Sequence, residues 1–251
     1  MTESELLFIG VVYESFIIIV AAIILALIFN KYIEKRHNLT LILFVIFTFY
    51  LITIIFTWLS KILDLLNIFY YVDDKEASDP LTIESFFVLR IVDYRVSFIF
   101  LALATLFTYV LRVKLFEEGY KRNERLFVAL FGVFTIVFQV VIYIKGDPIT
   151  EILSFLLITI YMFAVNIPFM NRCFSDYRAV DNPTFKKGFL SLTIMSLFAS
   201  LILIFQSLDR LLLIFGTFPY GFSPFYFIGM ICVLLAYFGA YFGYIRPRSK
   251  D

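Results

Sequence analysis

Arg90-Ile-Val-Asp-Tyr-Arg-Val-Ser97 opens an apolar segment that runs on to Leu111. Three charges gathered at the mouth of a membrane-length run need partners, because an ionisable group in hydrocarbon costs a few kcal/mol unless it is paired or lines water. Projected at roughly 100° per residue, Arg90, Asp93, Ser97, Ala104, Thr108 and Arg112 share one polar or small face, with Arg95 on the far side. The remaining positions are mostly Phe, Leu, Ile and Val, so that face is expected to look into a helix bundle.

Working outward, the same kind of segment recurs. The chain of 251 residues is 62% hydrophobic and only 16% charged, with a mean hydropathy of +0.93, well beyond a soluble domain. Apolar spans fall at about 6–29, 39–63, 86–111, 126–144, 149–170, 188–215 and 225–245. Each is close to the roughly 20 residues that a helix needs to cross about 30 Å of hydrocarbon. The runs are continuous rather than alternating over about ten residues, which argues against a β-barrel. The expected fold is therefore an all-α integral membrane protein, a single seven-helix bundle with no second domain. The first span has no basic region before it and exceeds a signal-peptide core, so it is expected to be retained.

Orientation follows from Lys and Arg on alternating sides. Lys31, Lys35 and Arg36 follow the first span, and Arg112, Lys114, Lys121, Arg122 and Arg125 the third. Arg172, Arg178, Lys186 and Lys187 follow the fifth, and Arg246, Arg248 and Lys250 the seventh. The other side holds the remaining 6 of 21 and includes the acidic 64–84 connection. That bias puts the amino terminus outside and the carboxyl terminus in the cytoplasm of a multi-pass cell-membrane protein.

With that orientation the strongly polar residues inside spans cluster toward the outer side. Glu14 shares a face with Gly10 and Ala21, Gln139 with Gly132 and Thr135, and Arg210 with Ser196, Ser200 and Ser207; Gln206 and Asp209 lie beside it. Small residues on those faces permit close helix approach, which favours an inward direction. The expected site is an outward-open polar pocket lined by Glu14, Arg90, Asp93, Gln139, Asp209 and Arg210. The competing expectation is a structural clamp in which Glu14 pairs with Arg90 or Arg210 to fix helix register, while Arg95, Lys61 and Asp64 snorkel to the interface. Ala236, Gly239, Ala240 and Gly243 form a small-residue ridge expected to pack within the bundle. Trp58 fits an interfacial belt, and the span-seven tyrosines Tyr226, Tyr237, Tyr241 and Tyr244 fit either such a belt or the lining of a cavity.

Several chemistries are disfavoured. The only histidine is His37, so neither a catalytic metal site nor a Ser–His pair is expected, and no cofactor is called for. No lysine lies between Lys187 and Lys250, where a retinal Schiff base would need one; the topology resembles rhodopsins and seven-helix receptors at fold level only. Two cysteines make no disulfide framework, and a net charge of +1 gives no reason to expect nucleic acid. Glu117-Glu118-Gly-Tyr-Lys-Arg122 resembles the Glu-Glu-x-x-x-Arg motif of the prenyl-protein endopeptidase and bacteriocin-immunity family. There the motif lies within a membrane helix and works with histidines on later helices; here no histidine follows, and a solvated helix end with i,i+4 pairs is expected instead. The favoured function is a non-enzymatic receptor or sensory module that binds a small ligand or lipid headgroup from the bilayer's outer side and signals through a separate cytoplasmic protein. The alternatives are a transporter or channel subunit, or a membrane assembly protein.

Overall fold

A chain segment in hydrocarbon must satisfy its own backbone hydrogen bonds, and a continuous apolar run does so as a helix. The computed structural model describes residues 3–66, 83–92, 94–116, 121–143, 148–214 and 222–241, and within them the regular structure is helical. In chain order these are α1 (Glu3–Lys35), α2 (Asn38–Leu65), the short α3 (Ile83–Val92), α4 (Arg95–Leu115) and α5 (Arg122–Val137). A π-helical turn (Phe138–Ile142) continues α5, and α6 (Pro148–Ala179), α7 (Pro183–Ile214) and α8 (Pro224–Ala240) follow. Six of them, α1, α2, α4, α5 with its π turn, α6 and α7, are long and apolar enough to cross a membrane, which makes this a multi-pass membrane protein. The next apolar helix, α8, has 17 residues.

Neighbour relations give the bundle its shape. Helix α1 packs on α2, α2 on α4, α4 on α6, α6 on α7, α7 on α8, and α8 back on α1, closing a ring of six. Helix α5 stands outside that ring, against α4 and α6. Its outer face of Phe127, Leu130, Val133, Phe134 and Val141 is exposed, as suits a lipid-facing surface. On α1 the split is just as plain: Gly10, Glu14, Ile17, Ala21, Ile24 and Ile28 are buried, while Phe8, Val12, Phe16, Ile19 and Ile23 are exposed. That spacing of three and four residues is one face of a helix.

The apolar span expected to run unbroken over 86–111 is interrupted. Tyr94 adopts a left-handed conformation (φ 61°) between α3 and α4. At the interruption the Val92 carbonyl accepts a hydrogen bond from Ser60 Oγ at 2.9 Å. Arg90 therefore precedes the break and does not share one continuous helix face with the residues after it. Below the break Ser97, Ala104, Thr108 and Arg112 are all buried, so the inward face of α4 itself is as the periodicity predicts. Arg112 pairs with Glu124 at the start of α5.

Arg95, on the opposite face, has a structural task. Its Nη1 donates to the Val140 carbonyl at 3.2 Å, and its guanidinium lies 5.6 Å from the Tyr143 ring. Val140 is in the last turn before the helix ends, where carbonyls lack intrahelical partners and a cation is favoured. The bond ties α4 to the π turn.

At the end of the bundle opposite Glu14, the ring is drawn together by one polar contact across its axis and two between neighbouring helices. Tyr237 of α8 donates to the Phe47 carbonyl of α2 at 2.6 Å, with the two rings 4.4 Å apart. Ser196 Oγ donates to the Asn166 carbonyl at 2.9 Å, and Ser191 to the Gly239 carbonyl. Of the small-residue ridge, Ala236, Gly239 and Ala240 pack within the ring, and Gly243 lies outside the described residues. A Cβ at Gly239 would stand 3.5 Å from the Met195 backbone nitrogen, and one at Gly229, earlier on α8, 3.3 Å from Phe205 Cβ. Helix α8 thus seats its glycines on α7.

Candidate functional site

Helix α2 carries Tyr50, Thr53, Ile54, Thr57 and Lys61 along one face, at offsets of 3, 4, 7 and 11 residues. That face looks across the ring's interior. Lys61 is only 5% exposed, and its Nζ lies 2.6 Å from Glu14 Oε1 on α1. The same carboxylate oxygen accepts from Tyr226 Oη of α8 at 2.7 Å and from Thr57 Oγ1 at 3.4 Å. Glu14 is wholly buried, and its Oε2 has no hydrogen-bond partner among the described residues. Lys61 also sits 4.9 Å from the centre of the Tyr226 ring, a cation–π distance. One carboxylate thus joins three helices of the ring.

Close approach makes this possible. Gly10, one turn before Glu14, faces Phe222, and a Cβ there would come 2.5 Å from the ring. Glycine at that turn lets the segment preceding α8 lie against α1 and carry Tyr226 to the carboxylate.

Beneath this cluster is a cavity of about 100 Å³, lined by residues from all six ring helices and none from α5. Its lining is graded along the bundle axis. Glu14, Thr57, Lys61, Tyr94, Gln206, Arg210 and Tyr226 lie toward one end, and Leu101, Met162, Leu203, Met230 and Val233 toward the other. The exceptions deeper in the cavity are Thr53, whose hydroxyl donates to the Phe49 carbonyl, Ser97 at the depth of Thr53, and Tyr50. From Tyr50 to Lys61 the lining extends over about 16 Å of helix rise. Arg210 stands at the polar end, its guanidinium 5.5 Å from the Tyr94 ring and 5.6 Å from the Phe155 ring. The left-handed Tyr94 is therefore both the break in the third apolar span and part of the cavity wall.

The six residues expected to form the pocket are placed differently from one another. Glu14 and Arg210 line the same cavity. Asp209, adjacent to Arg210 and so about 100° away around the helix, turns instead to Ser223. Its Oδ1 accepts from Ser223 N at 2.9 Å and Ser223 Oγ at 2.7 Å, linking α7 to the residue that caps α8. Gln139 is on the outlying α5, where its amide exchanges hydrogen bonds with Ser154 of α6, at 2.7 Å from Ser154 Oγ and 3.3 Å to the Ser154 carbonyl; it clamps α5 to the ring. Arg90 lies in the last turn of α3, before the break, and does not line the cavity. Asp93 lies outside the described residues, as do Glu117–Tyr120 of the Glu-Glu-x-x-x-Arg match.

Lys61 and Tyr226 stand outside the six residues expected to form the pocket, yet both line the cavity. Lys61 was expected to snorkel because it lies within a turn of the helix end, yet Glu14 stands across from it and holds it inside. The signal was present in the polar stripe Thr53, Thr57, Lys61 on an otherwise apolar helix. Of the two places the sequence allows Tyr226, an interfacial belt or a cavity wall, the structure has it in the cavity wall. No group of three or more metal-ligating side chains occurs among the described residues. No family model, curated protein or solved structure matches this chain, so what the cavity does follows from its own residues.

Proposed function

We propose that this chain is a seven-helix receptor or sensory module of the membrane, binding a small ligand in the cavity within the six-helix ring. The observation that carries the reading is the cavity itself, with Glu14, Lys61, Tyr226 and Arg210 at one end and apolar side chains at the other. A bundle that needed only internal stability would fill its axis, since interiors are close-packed. Helix α8 counts as the seventh span: 17 residues rise about 26 Å, near the hydrocarbon thickness. The Lys and Arg distribution supports an amino terminus outside and a cavity mouth on that side, with Arg112, Lys114, Arg122 and Arg125 toward the cytoplasm. The basic segments about 112–125 and 171–187 would then present changes of helix packing to a separate cytoplasmic protein. A ligand shifts such packing only by binding one arrangement better than the other.

The test is binding to the purified protein in nanodiscs, followed as a ligand-dependent rise in Tm. It is joined to cysteine-accessibility mapping of residues 38 and 182, both expected on the cytoplasmic face. A saturable ligand whose effect is lost in Glu14→Gln supports the reading. Labelling of both positions from the outside in intact cells refutes the orientation.

One observation favours a second reading. The helix break at Tyr94 borders the cavity, and transporters place broken helices at their binding sites. On that reading the same ligand crosses the membrane. Uptake into proteoliposomes that Glu14→Gln abolishes would establish it, and saturable binding without flux would exclude it.

A further inference from the structure

Given the binding role proposed above, the hydrogen-bonding capacity that the cavity wall leaves unused says what kind of molecule it takes. The three bonds to the Glu14 carboxylate, from Lys61, Tyr226 and Thr57, all fall on Oε1; Oε2 is buried without a partner. Ser97 of α4 lines the same cavity and is 1% exposed, and its Oγ is likewise without a partner. Buried polar atoms are nearly always bonded, so two such atoms on residues of one cavity wall mark where a guest's own groups belong. They lie about a helical turn apart in depth. Thr57 meets Glu14 and Thr53 meets the Ser97 carbonyl, and four residues of α2 rise about 6 Å.

Charge argues for a neutral guest. The charged groups of the wall are Glu14, Lys61 and Arg210, and Asp209, wholly buried, adjoins Arg210 in the chain. Acid and base there match two for two. An ion brought among them would lose its hydration and meet as much repulsion as attraction. A carboxylate oxygen only accepts, so the guest must donate at Glu14, whereas a serine hydroxyl both donates and accepts. A hydroxyl at each end of the guest satisfies both positions.

Size and lining set the body between them. A cavity of about 150 Å³ holds the six carbons of benzene; this one, at about 100 Å³, has room in proportion for about four. Leu101, Met162, Leu203 and Met230 supply apolar wall for a methylene chain, and the two methionines adapt their shape to it.

We infer that the ligand is a short uncharged diol: one hydroxyl donates to Glu14 Oε2, the other bonds Ser97 Oγ, and a body of about four carbons occupies the cavity. The wall then recognises hydroxyl groups and their spacing rather than charge.

The experiment is a saturation-transfer NMR titration of the protein in nanodiscs, corrected with protein-free nanodiscs. The probes are butane-1,4-diol, the donor-free ether 1,2-dimethoxyethane of equal chain length, and the charged counterparts 4-hydroxybutanoate and 4-amino-1-butanol. The diol is expected to bind at least about tenfold tighter than the ether and than either charged compound. Ser97→Ala should weaken the diol about fivefold and leave the ether within about twofold. Its Tm should not fall, because the hydroxyl has no bond within the protein to lose. An ether that binds as well as the diol, a charged compound that binds better, or a diol affinity unmoved by Ser97→Ala overturns the inference while leaving a binding cavity. The first of these needs no variant and decides the matter even if Ser97→Ala fails to fold. Saturable binding by none of the four probes overturns the receptor reading as well.

Discussion

Separating Lys61 from Glu14 is the perturbation whose outcome depends most directly on the geometry of the ring. At 2.6 Å and an effective dielectric of 20, their Coulomb attraction is about 6 kcal/mol. Removing two ions from water costs several kcal/mol each, so the pair as a whole adds little over a well-packed apolar pair. Removing one partner is another matter, because the other charge stays buried; such losses run to about 3–5 kcal/mol. The two single variants should nevertheless differ. Glu14 is wholly buried in the middle of the first turns of α1 and cannot reach water, so Lys61→Met strands a carboxylate held only by Tyr226 and Thr57. A loss of about 3 kcal/mol is expected. In Glu14→Gln the stranded group is Lys61, four residues from the end of α2, whose long side chain can swing its ammonium outward; the expected loss is about 1–2 kcal/mol. The double variant Glu14→Gln/Lys61→Met buries no charge and should lie within about 1 kcal/mol of the parent, giving a coupling of at least about 2 kcal/mol. Reversible unfolding in mixed micelles, followed by circular dichroism, measures all four corners of the cycle. Losses that add to within about 0.5 kcal/mol, or a Glu14→Gln variant less stable than Lys61→Met, would refute a charge pair sealed inside the ring.

Other positions give sharper signs than size alone would. Gly132→Ala should raise helix propensity by about 1 kcal/mol, yet its new Cβ would stand 2.7 Å from Tyr161 Oη; a net loss of stability is expected in the same unfolding assay, relieved when Tyr161→Phe is added. Arg36 has φ 48° just after α1 and its N–H bonds the Tyr32 carbonyl, the left-handed helix-ending position where glycine is favoured; Arg36→Gly should stabilise by about 0.5–1 kcal/mol. Arg95→Met removes the donor to the Val140 carbonyl, and amide exchange at the end of the π turn should quicken with a stability loss of about 1–2 kcal/mol. Tyr237→Phe deletes the bond to the Phe47 carbonyl at the end of the ring opposite Glu14: a receptor should remain tight to solute in proteoliposomes, whereas a measurable leak would favour transport.

Which residues face inward was legible in the sequence, and which residues meet was not. Gly10, Glu14 and Ala21 recur on one face of α1, and the structure buries all three; Gly132, Thr135 and Gln139 do the same on α5. Periodicity reports this because small and polar side chains lose least by leaving lipid for protein. It does not report the neighbour. Gln139 and Glu14 carry the same inward signature, yet one meets Ser154 at the ring's outer margin and the other meets Lys61 at its centre. The difference is the exclusion of α5 from the ring, and in lipid the apolar surface of α5 is as well served outside the ring as within it. The break at Tyr94 escaped for a related reason. Its flanking residues include neither Gly nor Pro, and the hydrogen bond that accommodates it comes from Ser60 on another helix. A tertiary contact that compensates a local irregularity leaves no mark on the local pattern. In a soluble bundle the strength of amphipathicity would have ranked α5 among the peripheral helices; where the solvent is itself apolar, that ranking is lost, and only the specific donors and acceptors decide which helix closes the ring.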